Sequence, residues 1–433
     1  MRAIAGPADL RQLHREHPLR YPFLLQSTAN GGTLGRFDIL FAHPGDAIVA
    51  DDDRRFLDEL DARWQQEQVP QVQSELPFLG GWFVYLGYEL ADQIEPGLNL
   101  RADPVLPAAF AVRCPAALVF DHAEETCWLI AEPGQGVDTV AVHRDVAALD
   151  RRRTAAVATL TDIAEETAER FTSAVVRTKE YIAAGDIYQA NLSREWSASA
   201  PRTVNADDVY EVLCRSNPGP FAGIARWHDS TIISSSPERL LRVRDGIVST
   251  RPIAGTRPRS EDLETDDSLS AELFANPKER AEHVMLIDLG RNDLGRVCRA
   301  GTVEVNEMMV LESYAHVHHI VSNVRGELRD EVTPGQAIAA VFPGGTITGC
   351  PKVRCMEVID ELEQGPRGAY TGSFGYLNRD GSLDLNILIR TLVKKNGNVT
   401  FRAGSGIVAD SDPHAELEET RAKAEGLLRA ISE

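Results

Sequence analysis

The chain has few cysteines, no long apolar run, no internal repeat and no excess of positive charge, and each absence removes a class of protein. Its six cysteines, Cys114, Cys127, Cys214, Cys298, Cys350 and Cys355, are scattered without C-x-x-C spacing. That argues against a disulfide scaffold or a thiolate metal site and fits reduced thiols in the cytoplasm. No stretch reaches the length of a membrane span, and the N-terminal MRAIAGPADLRQLHREHPLRYPF lacks the apolar run of a signal sequence, so we expect a cytoplasmic chain that enters no membrane. Forty-five Lys and Arg stand against 65 Asp and Glu, a formal net charge of −20. A field of that sign repels nucleic acid and anionic lipid, so an anionic substrate needs cations concentrated locally.

What is present is an ordinary globular composition: 433 residues, 43% hydrophobic and 25% charged, enough for a large core and two or three domains. Short β-like runs such as GRFDILFA (Gly35 to Ala42) and GGWFVYLGYEL (Gly80 to Leu90), broken by Pro and Gly, predict a β-rich region over residues 1–150. From Glu132 to about Thr161 the sequence turns Gly-, Asp- and Arg-rich, with Arg151, Arg152 and Arg153, and reads as a connection. A helix is expected from near Glu165, because Ala168, Phe171, Val175 and Ile182 recur at helical spacing before a stop at Gly185. It opens a second domain, 165–430, with a long helix from Asn276 to Leu289 and strands at Leu383 to Val393 and Val399 to Ala403. No βαβ period recurs, so the expected fold is α+β, with antiparallel sheets flanked by helices.

Two helical segments carry acidic pairs. NPKERAEHVMLIDL sets Glu279 and Glu282 three apart on one face, and SDPHAELEETRAK sets Glu416 and Glu419 likewise, with Pro413 suited to a first turn. Carboxylates converging from two helices would suit Mg²⁺, a hard cation that takes oxygen ligands. First-turn glutamates also complement a helix dipole, and Glu419 with Lys423 is an ordinary i,i+4 pair, so spacing leaves both readings open. In SLDLNILIRTL, alternation puts Arg390 on the face of Asp384, either projecting into a site as a carboxylate-binding fork or paired with that aspartate. GSGIVADS, after a strand, reads as a turn that brings backbone amides near an anion or merely connects. His318 and His319 sit in a β-like run, as acid–base groups or as hydrogen-bonded core residues.

Taken in order, IYQANLSR, SSSPERLL, RPIAGTRPR, NPKERAEHVMLIDLGRNDLGRV, HVHHIVS, FPGGTITGCPKVRCMEVIDELE, YTGSFGYL, NILIRT and GSGIVADSDPHAELEETRAKAEGLL cover most of residues 166–430. Together they resemble the chorismate-utilising enzymes: anthranilate synthase component I, aminodeoxychorismate synthase component I, and the isochorismate and salicylate synthases. The resemblance implies Mg²⁺ held by Glu279, Glu282, Glu416 and Glu419 and bound to the ring carboxylate of chorismate. It implies that Arg390 and the backbone of Gly404, Ser405 and Gly406 hold the enolpyruvyl carboxylate, with Tyr370, Lys423 and Thr348 nearby. It makes Glu238 the acid that protonates the departing C4 hydroxyl, with His319 beside the ring and Thr256 at the catalytic centre.

Water-using members of that group carry a lysine where this chain has Gln189, so the resemblance implies ammonia as the nucleophile. Ala254, in PIAGT, stands where aminodeoxychorismate synthases typically carry a nucleophilic lysine and where anthranilate synthases carry alanine. Against that, FPGGTITG, HVHHIVS, YTGSFGYL, YPFLLQS and LPFLGGWFVYLGYEL resemble the aminodeoxychorismate branch, and Gln26 replaces the Glu of the anthranilate synthases' LLES. The implied activity is that of a PIAGT-type aminodeoxychorismate synthase, in which a second ammonia replaces the missing lysine, with anthranilate synthase component I as the alternative. An enzyme that stops after the first amination and a catalytically idle binding subunit are further options. No Gly-x-Cys-x-Gly turn occurs, so a separate glutamine amidotransferase subunit is the expected ammonia source.

Overall fold

The computed structural model describes the chain except residues 5–8, 29–34, 52–53, 150–159, 202–203, 260–261, 314–316 and 433. Among the described residues, one sheet of twelve strands and one of ten pack face to face, and every strand pairing is antiparallel. Alternation along the strands builds the layers. Phe23, Phe41, Phe83 and Phe110 point into the core between the sheets, and the rings of Phe23 and Phe83 stack at 4.0 Å. Their neighbours Leu24 and Leu40 face outward, under the Ala206–Ser216 and Pro413–Ser432 helices, which contribute Val209, Leu213, Leu427 and Ile431. On the other outer face, Val84 and Leu86 pack with Ile287 and Leu294 of the Pro277–Gly295 helix. The α+β expectation with antiparallel sheets holds.

Segments distant in sequence share both sheets. Phe23–Gln26 pairs with Phe221–Trp227, and Gly81–Leu86 pairs with Ser373–Asn378. In the twelve-stranded sheet Thr391–Lys395, Asn398–Ile407 and Gln189–Ser199 are adjacent, and Ile253–Pro258 and Val317–Glu327 close one end of the other sheet.

Four local expectations change. Thr161–Glu165 is a strand on the edge of Gln189–Ser199, and the helix after it spans Ala168–Ala184, capped by Gly185 at φ 83°. The connection holds a helix, Thr139–Ala147, whose Ala141 and Val142 are buried, while Arg151, Arg152 and Arg153 lie outside the described residues. The strand predicted over Leu383 to Val393 is two strands, Leu383–Asn386 in one sheet and Thr391–Lys395 in the other. Arg390 occupies the crossover at φ 51°, and Asp384 pairs instead with Arg239. Gly404, Ser405 and Gly406 form no turn: they continue the Asn398–Ile407 strand, ladder-bonded to Gln189–Ser199.

A buried charge cluster ties the site strand to its neighbours. Glu363, at the end of the Lys352–Glu363 helix, accepts from Ser193 N at 2.7 Å, Arg367 Nη2 at 2.6 Å and Arg402 Nη2 at 3.1 Å. Burial by itself would raise the Glu363 pKa, but the two guanidinium charges and the hydrogen bonds outweigh it and hold the carboxyl below its usual range. The carboxylate therefore stabilises the fold above its unfolded pKa, and that contribution is lost as pH falls through the lower folded value. Glu363→Gln, which strands two buried guanidinium groups, is expected to lower unfolding free energy by about 3–5 kcal/mol. Urea unfolding at neutral pH checks this, and an unchanged midpoint would contradict it.

Candidate active site

Gln189, 3% exposed, starts its strand beside Gly349–Cys350 and donates from Nε2 to Glu282 Oε1 at 3.1 Å. Glu282 lies on the Pro277–Gly295 helix, one turn after Glu279. Burial, then the charges of Glu279 and Glu419, push its carboxyl above the usual range, while Gln189 and the charge of Lys423 act the other way. Glu419 and Lys423 project from the Pro413–Ser432 helix and pair at 2.7 Å, and Lys423 Nζ also donates to Gly404 O at 3.0 Å. The two helices thus deliver three carboxylates and a cation to one end of the Asn398–Ile407 strand. Glycine there is required by space: a Cβ on Gly404 would meet the Tyr370 hydroxyl at 2.6 Å, and one on Gly406 would meet Gln189 Nε2 at 2.7 Å.

A second group adjoins this one through Gly255. Its φ of +75° and its distance to Glu279, 2.8 Å from Oε2 to a hypothetical Cβ, leave no place for a side chain. The backbone of Gly255 hydrogen-bonds the ring of His319. Burial, then the charge of Arg390, lowers the His319 pKa to about 3, so the imidazole is neutral at physiological pH. Arg390 is held by Asn217 Oδ1 at 3.1 Å and has no carboxylate partner among the described residues. Burial lowers its pKa to about 10, which leaves it a cation. Glu238 stands on the other side of the same strand start: Thr346 Oγ1 donates to it at 2.8 Å, and the Ile253 backbone also bonds it. Burial raises its carboxyl to about 7 against those two hydrogen bonds. Ala254 and Thr256 face Ile320 and His319 across the ladder, and their side chains lie outside the described residues.

Not every expected residue joins these groups. Glu416 is held by the Ser405 hydroxyl, which strand alternation directs to the face opposite Gly404 and Gly406. Thr348 donates its hydroxyl to Gly344 O at 2.9 Å and its carbonyl accepts from Asn191 N, a loop-fixing role. His318 bonds Ser313 and Asp266. Among the described residues no three carboxylate, imidazole or thiolate groups are close enough together to hold a metal ion. Glu279 and Glu419 each lie within electrostatic reach of Glu282, and all three are oxygen donors of the kind that Mg²⁺ takes. Sequence reasoning missed Asn191, Asn217 and Thr346. Asn191 was accessible to it, lying two residues beyond Gln189 on a strand and hence on the same face.

The groups gathered here are a buried acid near neutrality, a guanidinium with no carboxylate partner among the described residues, and carboxylates from two helices. The model of the chorismate binding enzyme family matches residues 21–429. The chain belongs to that family. Among its relatives, an anthranilate synthase component I-like protein of Synechocystis is 43% identical over 361 residues, 83% of this chain and 74% of the relative. Aminodeoxychorismate synthase component 1 of Bacillus subtilis is 42% identical over 381 residues, 85% of this chain and 80% of the relative. The crystal structure of anthranilate synthase component I from Streptococcus pneumoniae superposes with a TM-score of 0.81 at 33% identity, over 92% of this chain and 93% of that one. The chain is therefore a chorismate-utilising enzyme, and relatives named anthranilate synthase and aminodeoxychorismate synthase are about equally similar to it.

Difference infrared spectra of the chain against its Glu238→Gln variant are expected to show a protonated carboxyl that titrates with a midpoint near 7. A midpoint in the ordinary carboxylate range, about 4, would contradict the burial argument.

Proposed function

We propose that the chain is the large subunit of an aminodeoxychorismate synthase, which converts chorismate and ammonia into 4-amino-4-deoxychorismate, the precursor of 4-aminobenzoate and folate. Gln189 carries the amination reading. Its side chain is an amide held by Glu282, and an amide can orient a nucleophile but cannot deprotonate water. The run of matching motifs and Gln26 support the folate branch. Gln26 is buried, donates to Asp38 at 2.7 Å and accepts from Arg11 at 2.7 Å, at the position of the anthranilate synthases' LLES glutamate.

In this reading Arg390, Tyr370 and the Gly404–Gly406 backbone hold the enolpyruvyl carboxylate, with Lys423 adding positive charge in a chain of net charge −20. Glu279, Glu282 and Glu419 would hold Mg²⁺, joined by Glu416 if it exchanges its Ser405 hydrogen bond. When bound, the ion supplies positive charge for the ring carboxylate. Ammonia attacks C2, the ring double bonds shift and the C4–O bond breaks, with Glu238 giving its proton to the hydroxyl that leaves as water. The new ammonium group returns a proton to Glu238. Bound 2-amino-2-deoxyisochorismate then meets a second ammonia at C4, the double bonds shift back, and the first nitrogen leaves as ammonia with the proton that the new C4 ammonium gives up. Two ammonia molecules act and one is consumed, so no lysine is needed at Ala254. His319, neutral, packs beside the ring without adding a competing charge.

Incubation with chorismate, Mg²⁺ and an ammonium salt is expected to yield 4-aminobenzoate only when an aminodeoxychorismate lyase is added. Ala254 favours a second reading, anthranilate synthase component I, and fluorescent anthranilate formed without the lyase would establish it. Unlabelled 2-amino-2-deoxyisochorismate given nitrogen-15 ammonium should yield labelled 4-amino product, and unlabelled product would rule out the second attack.

The ammonia source is proposed to be a separate glutaminase docked behind Gln189 and Glu282. There an open groove is lined by Tyr188, Val284, Met285, Leu289, Pro351 and Val353 with a charged rim that includes Asp288, Arg296 and Lys352, and Tyr188 is 71% and Val284 41% exposed. Apolar side chains clustered at that exposure fit a covered surface. Val353→Glu is expected to cut glutamine-dependent turnover at least tenfold while leaving ammonium-dependent turnover within twofold. Equal loss of both would place the partner elsewhere.

A further inference from the structure

Two carbonyl acceptors in the site have no hydrogen-bond partner among the described residues. Gln189 Oε1 and Asn191 Oδ1 are both buried without a hydrogen bond. The residues are two apart on one strand, so their side chains leave the same face, and the bond from Gln189 Nε2 to Glu282 turns the Gln189 oxygen away from that carboxylate. A buried, unpaired polar atom is costly, so two on one face of one strand are hard to explain as mere packing. Two glycines of the neighbouring strand pack closely against them. Asn191 faces Gly406 across the ladder, and a Cβ on Gly404 would sit 2.7 Å from Asn191 Oδ1 and 2.6 Å from the Tyr370 hydroxyl. Glycine at both positions lets the two amides and the Tyr370 hydroxyl lie close against this strand. Asn191 is also fixed from behind, since its carbonyl accepts from Arg367 Nη2 at 2.6 Å and its N–H bonds Thr348 O at 2.9 Å.

We propose that Gln189 Oε1 and Asn191 Oδ1 together form the subsite for the attacking ammonia, with Asn191 its second anchor. The proposal rests on the amination reading above. Ammonia carries three N–H donors and one lone pair. Two carbonyl acceptors engage two of the donors, which leaves the lone pair directed away from the two amides. Neither amide oxygen takes up a proton at neutral pH, so the pair offers nothing to a nucleophile that must first be deprotonated. It thereby discriminates by chemistry: a molecule that arrives with a usable lone pair needs only to be held. Asn191 acts here as an orienting group for the nucleophile and makes no claim on the chorismate carboxylates.

The test uses the full chain with chorismate, Mg²⁺ and ammonium chloride, without a glutaminase. Asn191→Leu fills the same space without an acceptor, and Asn191→Ala removes the acceptor without crowding. Both are expected to lower kcat/KM for ammonia at least tenfold at saturating chorismate, while chorismate affinity, measured by calorimetry with Mg²⁺, stays within twofold. Unchanged kcat/KM for ammonia in both variants overturns the proposal. So does loss of chorismate affinity and ammonia dependence by the same factor, which would make Asn191 a substrate-holding or structural residue. If the unsubstituted chain converts chorismate with water and shows no dependence on ammonia, the amination reading itself has failed, an outcome separate from any effect of the variants.

Discussion

The Glu363 carboxylate, buried between Arg367 and Arg402, is the contact on which the site's geometry most depends. Arg367 donates to Glu363, to the carbonyls of Ile347 and Asn191, and lies over the rings of Tyr88 and Tyr370. Arg402 joins Glu363 to Ser193 across the two adjacent site strands. One ion cluster thus sets the height of Tyr370, the position of Asn191 and the register between the strand bearing Gln189 and the strand bearing Gly404. Such clusters give little net stability over an apolar packing of the same volume, but they resist partial disruption because any one loss leaves a charge buried. That is the property a site needs when its functional atoms must not drift.

A similar logic separates the two carboxylate environments. Among the described residues Glu238 has only a hydroxyl and a backbone amide as donors, so burial dominates and its proton is retained near neutrality. Glu363 has the same degree of burial and two guanidinium groups, and it is ionised. The same side chain is made an acid in one place and an anchor in the other by what stands within hydrogen-bonding distance. Arg390 completes the contrast as a cation kept with an amide, Asn217, for company, which leaves its charge available.

Much of this was legible in the sequence, unevenly. The alternation in GRFDILFA and GGWFVYLGYEL gave strands, and Gly185 ended its helix, because period and capping are local properties. Local pattern could not reveal that Leu383 to Val393 crosses from one sheet to the other, since both halves alternate and the break at Arg390 depends on what each half packs against. The glycines of GSGIVADS suggested a turn, whereas their role is to make room beside an extended strand, a demand set by Tyr370 and Gln189 from elsewhere in the chain. Glu279, Glu282, Glu419 and Lys423 gather as their spacing allowed. Glu416 is drawn instead to Ser405, a tertiary competitor that no helical period announces.

The strand interleaving has a consequence for how the protein comes into being. Leu25 pairs with Gly223, about 200 residues later, and Val84 with Gly375, nearly 300 later. Emerging from a ribosome, the first strands therefore wait with unpaired edges for partners not yet made, and neither sheet can close until almost the whole chain is synthesised. Assembly of the catalytic centre is in this sense the last event of biosynthesis, and a chain truncated before Ser373–Asn378 would leave an edge of Gly81–Leu86 unpaired as well as losing the site strands.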